Sequence, residues 1–282
     1  MNGRLSVIGL GPGDARWLTP EAEIALAGAA ALYGYGPYLD RVPLRPGQER
    51  YPSGNREEAA RAAAALHHAA DGGLTVDRVA AGATDRTSDV AGALSGGCHV
   101  ALVCGGDPGV FAMAAAVCAE IERGPAVWRE IELQIVPGIT AMLAVAARVG
   151  APLGHDFCAL SLSDNLKPWE VIERRLDAAA AAGFVIALYN PVSRARPWQL
   201  AAAFERLARQ LPWSCPVVFG RAVGRDDEAV QVTTLAAAQH CAAEFAADMA
   251  TLVIVGSAET RVVTRQGQSP LVYTPREALR SA

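Results

Sequence analysis

The chain of 282 residues is long enough for one large α/β domain or for two domains of about 100–150 residues each. Its net charge of −4 and the lack of a basic run argue against nucleic-acid binding, and no apolar run reaches the ~18 residues of a membrane span. The start of the sequence has no signal-peptide pattern and the six cysteines form no Cys-x-x-Cys pair, so we expect a cytoplasmic protein without a metal site.

The first predicted strand, at 4–10, leads into the loop Gly9-Leu10-Gly11-Pro12-Gly13-Asp14. Its glycines stand at i, i+2 and i+4, a spacing that differs from the dinucleotide-binding fingerprint, and Pro12 removes a backbone donor. We therefore expect a tight loop that contacts a large organic ligand. Thr19-Pro20-Glu21 then predicts the start of a helix that reaches about residue 27, and 31–35 is the second predicted strand.

Asn55 and Glu58 stand at the spacing of a capping box, which predicts a helix that continues to about Asp71. The segment 73–97 that follows is rich in Gly, Thr, Asp and Ser and has weak periodicity. It exceeds the ~12–15 residues usual for a connection within a compact domain. We predict a mobile insertion here, with a lid as the alternative.

The chain is organised around an apolar strand at 100–103 and the loop Gly105-Gly106-Asp107-Pro108-Gly109 that follows it. A carboxylate at the carboxyl end of a strand lies where open α/β sheets bind ligands. An ordinary turn is the alternative, because Gly, Asp and Pro are common turn formers. A helix is predicted over 110–123.

A strand at 131–136 ends in a similar loop, Pro137-Gly138-Ile139-Thr140-Ala141. The likeliest domain boundary is Pro152-Leu153-Gly154, which gives domains at 1–153 and 154–282. Strands and one helix resume beyond it, so the pattern predicts two α/β domains. The predicted strands of the second domain are 157–162, 184–188, 217–219, 230–234 and 251–255, and its predicted helix is 168–182.

Four motifs stand in the order found in the tetrapyrrole methylases, which the chain resembles over all but residues ~73–97. They are the loops beginning at Gly9, Gly105 and Val136, and Ala187-Leu188-Tyr189-Asn190-Pro191. The resemblance implies two α/β domains with the active site in the cleft between them, a homodimer, and a small-molecule tetrapyrrole substrate. It also implies S-adenosylmethionine as the cofactor. Carried onto this sequence, the cofactor-binding positions are Pro12, Gly105, Gly106, Asp107, Val110, Phe111, Thr140, Ala141, Tyr189, Asn190, Arg221, Ala222, Thr251 and Leu252.

Within the family, four stretches are most similar to one branch: Asn55-Arg56-Glu57-Glu58, the run Gly-Asp-Pro-Gly-Val-Phe-Ala-Met at 106–113, Ser163-Asp164 with Pro168-Trp169-Glu170, and Tyr189-Asn190-Pro191. That branch methylates C17 of precorrin-3B and contracts the macrocycle during cobalamin synthesis. The resemblance leaves open a cobalt-bearing substrate for the same step, or another methylase of the corrin pathway.

The implied chemistry makes two demands on the protein. Methyl transfer from a sulfonium to a pyrroline carbon depends on alignment and water exclusion, whereas ring contraction needs a group that takes a proton from the C20 hydroxyl. Asp14 is our candidate for that group, with a turn-forming cap as the alternative. Ser53 and Asn55 are candidates for hydrogen bonds to the macrocycle, although helix capping explains them equally well. Candidate clamps for substrate carboxylates are Arg56, Arg194, Arg196 and Arg221.

Other classes of protein fit the sequence less well. The Tyr-Asn-Pro and Ser-Asp patterns argue against the diphthine-forming relatives, which act on another large substrate. A nucleotide-dependent oxidoreductase would need a dinucleotide fingerprint with an acid about 20 residues downstream. A non-catalytic tetrapyrrole carrier would not need both the Gly-Asp-Pro and the Pro-Gly-Ile-Thr loops.

Overall fold

The computed structural model describes residues 3–71 and 98–277. These residues divide into two compact units, and the division lies between Thr140 and Ala141. The boundary expected after residue 153 differs from this division by one helix and one short strand. Both elements pack with strands of the second unit. The insertion expected at 73–97 lies outside the described residues.

The first unit is built on a five-stranded sheet in which every pair of neighbours is parallel, in the order β3-β2-β4-β1-β5. Its elements are β1 (Arg4–Gly9), α1 (Pro20–Gly28), β2 (Ala31–Tyr35), α2 (Gly36–Leu39), β3 (Glu49–Ser53), α3 (Glu58–Asp71), β4 (His99–Cys104), α4 (Met113–Arg123) and β5 (Glu132–Val136). Because the strands are parallel, their carboxyl ends lie at one edge of the sheet. The loops after β1, β3, β4 and β5 therefore share that edge.

Successive side chains of the central strand β4 are buried on opposite faces of this sheet. Val100 and Leu102 belong to a core that includes Leu66 of α3. Ala101 and Val103 point to the opposite face and belong to a second core. Burial on both faces is why β4 is a continuous apolar run, as parallel strands between two layers of helices usually are.

The second unit contains a mixed five-stranded sheet in the order β10-β9-β11-β8-β7, in which β7 and β8 are parallel and the other pairs are antiparallel. A small sheet, β12-β13-β6, lies in the same unit. The elements are α5 (Ala141–Val149), β6 (Gly150–Ala151), β7 (Phe157–Ser161), α6 (Trp169–Ala181), β8 (Val185–Tyr189), α7 (Gln199–Leu207), β9 (Pro216–Arg221), β10 (Ala229–Thr234), α8 (Ala238–Glu244), β11 (Thr251–Val255), β12 (Arg261–Arg265) and β13 (Gln268–Tyr273).

Helices cover the mixed sheet on one face and approach it closely on the other. Leu176 of α6 and Phe204 of α7 belong to the same buried cluster as Leu188 and Val253 of the sheet. On the other face, a Cβ atom placed on Gly220 would lie 2.3 Å from a methyl group of Val145 in α5. Only glycine permits this helix to pack so near β9.

The predicted α/β class is confirmed, and β2 and β11 have the predicted bounds. The capping box predicted for Asn55 and Glu58 is wrong: the Glu57 carboxylate accepts a hydrogen bond from the Gly54 amide at 2.7 Å, and α3 begins at Glu58. Gly54 and Glu57 therefore pair in the turn that precedes this helix. None of the helices described is long and apolar enough to cross a membrane.

Candidate active site

Three loops of the first unit meet backbone to backbone at the carboxyl edge of its sheet. The amide nitrogen and carbonyl oxygen of Gly11 pair with those of Gly106, with N···O distances of 3.1 and 2.9 Å. A Cβ atom placed on Gly138 would lie 2.2 Å from the Gly106 carbonyl oxygen and 2.9 Å from Gly9. Gly106 also has a left-handed backbone, with φ of 67°. This contact requires glycine, and it brings the three glycine-containing motifs of the first unit together.

Asp107 is held by the backbone of two of these loops. Its Oδ1 atom accepts a hydrogen bond from the Gly109 amide at 2.8 Å, and its Oδ2 atom accepts one from the Gly138 amide at 3.1 Å. The carboxylate therefore joins the loop after β4 to the loop after β5. Its position at a strand end is as expected, and its observed partners are amides of the protein.

Asp14 lies at the exposed end of the first loop and forms a bidentate pair with Arg16. Its carboxylate accepts hydrogen bonds from Nη2 of Arg16 at 2.7 Å and from Nε at 3.0 Å, and it caps a 3-10 turn through the Arg16 amide. These hydrogen bonds lower the pKa of Asp14 below its usual value. Asp14 is therefore ionised at neutral pH and binds a proton weakly.

Arg41 binds the backbone of the same loop. Its Nη2 atom donates to the carbonyl oxygens of Leu10, Gly11 and Gly13 at 2.9, 3.0 and 2.5 Å. One cation therefore holds the backbone of the loop on both sides of Pro12. No sequence motif indicates this role of Arg41, because Arg41 lies outside the loop that it binds.

Ser53 is the last residue of β3, and its hydroxyl is engaged by a buried arginine. Oγ accepts a hydrogen bond from Nε of Arg61 at 2.6 Å, while Nη2 of Arg61 donates to the Gly54 carbonyl at 2.6 Å. Arg61 is 5% exposed, and burial lowers its pKa. Asn55, the neighbouring candidate, is exposed in the turn before α3. Arg61 therefore fixes the segment in which both candidates lie.

Three of the nominated cofactor-binding residues have a strained backbone. Phe111, Asn190 and Ala222 have φ angles of 52°, 52° and 49° and lie in the loops after β4, β8 and β9. A left-handed conformation costs a non-glycine residue about 1–2 kcal/mol, and such residues cluster at ligand sites. Among the described residues, Ala246 is the other non-glycine residue with positive φ. Strain is thus concentrated on loops that the motifs had nominated.

The Tyr-Asn-Pro motif organises the carboxyl end of β8 in the second unit. The Tyr189 hydroxyl accepts a hydrogen bond from the Met142 amide at 3.2 Å, in the first turn of α5. The Asn190 side-chain amide donates to Oγ of Ser161 at 3.0 Å, at the end of β7. Tyr189 and Asn190 thus connect three neighbouring elements.

Asp248, which the sequence did not single out, connects the nominated residues at the ends of β9 and β11. Its Oδ2 atom accepts from Nε of Arg221 at 3.0 Å, and its Oδ1 atom accepts from the Thr251 hydroxyl at 3.1 Å. Arg221 also donates to Asp227 at 2.9 Å. Arg221 is therefore occupied by two aspartates rather than positioned as a clamp. Leu252 is 2% exposed, so its side chain packs within the protein.

The remaining nominated residues lie in the loops after β4 and β5 or begin α5. Gly105 lies against the Tyr38 ring, where an added Cβ atom would be 2.9 Å from a ring carbon. Phe111 is half-exposed, whereas Thr140 is buried. Val110 and Ala141 are partly exposed at the starts of their segments. Within the described residues, no cluster of three or more His, Cys, Asp or Glu side chains has the arrangement of a metal site.

Comparison with known proteins assigns these motifs to a family. The family model of the tetrapyrrole (corrin/porphyrin) methylases matches residues 4–239. A Sinorhizobium sp protein named precorrin-3B C(17)-methyltransferase is 58% identical over 276 residues, which are 98% of this chain and 97% of that protein. A Salmonella typhimurium protein named probable cobalt-factor III C(17)-methyltransferase is 37% identical over 96% of this chain and 98% of its own length. The crystal structure of the methyltransferase CobJ matches with a TM-score of 0.81 and 42% identity, over 97% of this chain and 100% of that one.

Proposed function

Because this chain belongs to the tetrapyrrole (corrin/porphyrin) methylases, we propose that it transfers a methyl group from S-adenosylmethionine to C17 of precorrin-3B and contracts the ring to precorrin-4 in cobalamin biosynthesis. The observation that carries this proposal is the 58% identity to the Sinorhizobium sp protein over 98% of the chain. A cobalt-bearing substrate is the second candidate, favoured by the 37% identity to the Salmonella typhimurium protein.

An exposed aromatic residue in the loop after β4 supports S-adenosylmethionine as the cofactor. Phe111, at the end of the loop that begins with Gly105, has a half-exposed ring. An exposed aromatic face suits a ligand that carries a purine. When bound, the cofactor supplies an electrophilic methyl group on a sulfonium centre.

We assign cofactor binding in the first unit to the segments that hold Pro12, the Gly105–Phe111 loop and Thr140. In the second unit we assign it to Ala141, to Tyr189 and Asn190, and to the Arg221–Ala222 turn with the adjacent Thr251. The hydrogen bonds of Asp107, Arg41 and Asp248 hold these segments in place before any ligand binds. Preorganisation of this kind serves methyl transfer, which depends on the alignment of donor and acceptor.

Ring contraction requires a proton acceptor, and we assign that role to Asp14. Its pKa, lowered by Arg16, keeps it in the ionised form that a base needs, although a pKa nearer to neutral would favour proton transfer more strongly. Ser53 and Asn55 are assigned to hydrogen bonds with the macrocycle. The Ser53 hydroxyl accepts from Arg61 at 2.6 Å and donates to the Gly34 carbonyl at 3.4 Å, so an acceptor on the macrocycle would replace this long bond.

The test is an assay of the purified protein with S-adenosylmethionine and either precorrin-3B or its cobalt-bearing counterpart. Mass spectrometry would report the added methyl group, and the absorption spectrum would report the contracted ring. We expect both changes with precorrin-3B, whereas turnover of only the cobalt-bearing substrate would favour the second candidate. A methylated but uncontracted product would contradict the assignment.

Two further properties follow from the family resemblance rather than from contacts in this chain. We propose a homodimer in the cytoplasm. Light scattering of the purified protein, together with fractionation of cells that express it, would test both points. A monomer at micromolar concentration, or recovery with membranes, would contradict them.

A further inference from the structure

Arg196 is a buried cation in the segment between β8 and α7. It is 5% exposed, and its Nη1 atom donates to the Asn190 carbonyl at 3.0 Å and lies 3.5 Å from the Leu162 carbonyl. Its Nη2 atom contacts Sδ of Met249 at 3.3 Å. The backbone of Arg196 pairs with Ser193 in both directions, at 3.0 and 3.1 Å, which closes the turn after the Tyr-Asn-Pro motif.

The partners of Arg196 are neutral. Among the described residues, none of the ion pairs includes it, whereas Arg148, Arg206 and Arg221 each contact a carboxylate. A charge removed from water without a counterion is costly unless its hydrogen bonds are strong. A buried guanidinium at this position is therefore best explained by the backbone that it holds, and not by its being a surface clamp for substrate.

The backbone that Arg196 holds includes a residue in a strained conformation. Asn190, whose carbonyl oxygen Arg196 binds, has a left-handed conformation with φ of 52°. The Leu162 carbonyl, the other acceptor, lies directly after β7. Arg196 therefore spans the carboxyl ends of the parallel strands β7 and β8, while the Asn190 side chain makes its own bond to Ser161.

We propose that Arg196 is a positioning residue, which holds Asn190 in its left-handed conformation and so keeps Tyr189 and Asn190 in the arrangement that binds S-adenosylmethionine. This inference rests on the proposed function, because it takes the Tyr189–Asn190 loop as part of the cofactor site. The planar guanidinium reaches two carbonyl oxygens and a thioether at once, which an ammonium group cannot reproduce.

The experiment measures S-adenosylmethionine affinity by calorimetry in a double-mutant cycle of the full-length protein. Arg196→Met removes the donors and keeps an apolar stem, and Asn190→Gly removes the strain, since glycine enters the left-handed region freely. We expect Arg196→Met to weaken binding about tenfold when Asn190 is retained, the scale of one charged hydrogen bond, and at most about threefold in the Asn190→Gly background. The exposed Arg174 of α6 is the matched control, and Arg174→Met should bind as the wild type does.

A purely structural role would lower the melting temperature of Arg196→Met equally in both backgrounds and leave the affinity of the folded protein unchanged. That result, or an equal loss of affinity in both backgrounds, would overturn the inference. If circular dichroism shows that Arg196→Met does not fold, Arg196→Lys replaces it in the same cycle, with a smaller loss and the same cancellation expected. A wild-type protein that does not bind S-adenosylmethionine would instead overturn the proposed function.

Discussion

The Asp107 carboxylate accepts a hydrogen bond from the Gly138 amide at 3.1 Å, across 31 positions of the sequence. With its second bond to the Gly109 amide, it couples two loops that carry nominated cofactor residues. A carboxylate that binds two backbone amides restricts both loops, so the residue contributes to their conformation whether or not it also contacts the cofactor.

Replacement of Asp107 should therefore affect both ligand binding and stability. We expect Asp107→Ala to weaken S-adenosylmethionine binding by about 1.5–3 kcal/mol and to lower the free energy of unfolding by about 1–3 kcal/mol, because two amides lose a charged acceptor. Calorimetry and urea unfolding would measure the two effects. The exposed Asp40 of the same unit serves as the control. Unchanged affinity would remove Asp107 from the cofactor site.

Replacement of Ser53 tests how much its hydrogen bond with Arg61 contributes to stability. Ser53→Ala removes the acceptor for Nε of Arg61 inside the protein, so we expect a loss of about 1–3 kcal/mol in the free energy of unfolding. Ser53→Thr retains the hydroxyl and should recover most of this loss. The alanine and threonine variants should also differ in the Michaelis constant for the macrocycle. If the threonine and alanine variants behave alike in both measurements, the hydroxyl has no role in either.

Asp14 is tested by separating the two chemical steps. As the base for contraction, Asp14→Asn should slow formation of the contracted ring at least ~100-fold while methylation and ligand binding persist. Arg16→Ala should raise the pKa of Asp14, because its main hydrogen-bond donor is lost, and should move the acidic limb of the rate profile to higher pH. Contraction by Asp14→Asn at full speed would leave Asp14 with its capping role alone.

The lowered pKa of His68 predicts how the free energy of unfolding depends on pH. Burial lowers the pKa of His68, despite the opposing charges of Glu49 and Asp71, and its ring contacts the Tyr33 hydroxyl at 3.0 Å. The unfolded chain therefore binds a proton at a higher pH than the folded protein does, so stability should fall as pH decreases below about 6.5.

Urea unfolding at pH 7.5 and 5.5 would measure this effect. His68→Gln should reduce the difference between the two conditions, although His99, whose pKa burial also lowers, contributes in the same direction. His240, whose side chain is 78% exposed, provides the control, and His240→Gln should retain the wild-type difference. Equal stability at the two pH values would contradict the prediction.

Local features of the sequence were enough to predict many of the helices and strands and to nominate the loops of the candidate site. Thr19-Pro20-Glu21 predicted the start of α1, and the Thr19 hydroxyl caps that helix by accepting a hydrogen bond from the Ala22 amide at 3.1 Å. The strand β4 and the glycine loop after it were likewise predicted from the sequence, because strand burial and turn formation depend on adjacent residues. The order of the four motifs then sufficed to identify the family.

Tertiary structure decided which groups hold the nominated loops in place. Arg61 contacts Met113, and Arg196 contacts Met249, at separations of 52 and 53 residues. It also decided that Arg221 pairs with aspartates and that the second sheet is mixed. No local pattern encodes these partners, because a hydrogen bond between distant residues forms only where packing brings a donor and an acceptor within about 3 Å.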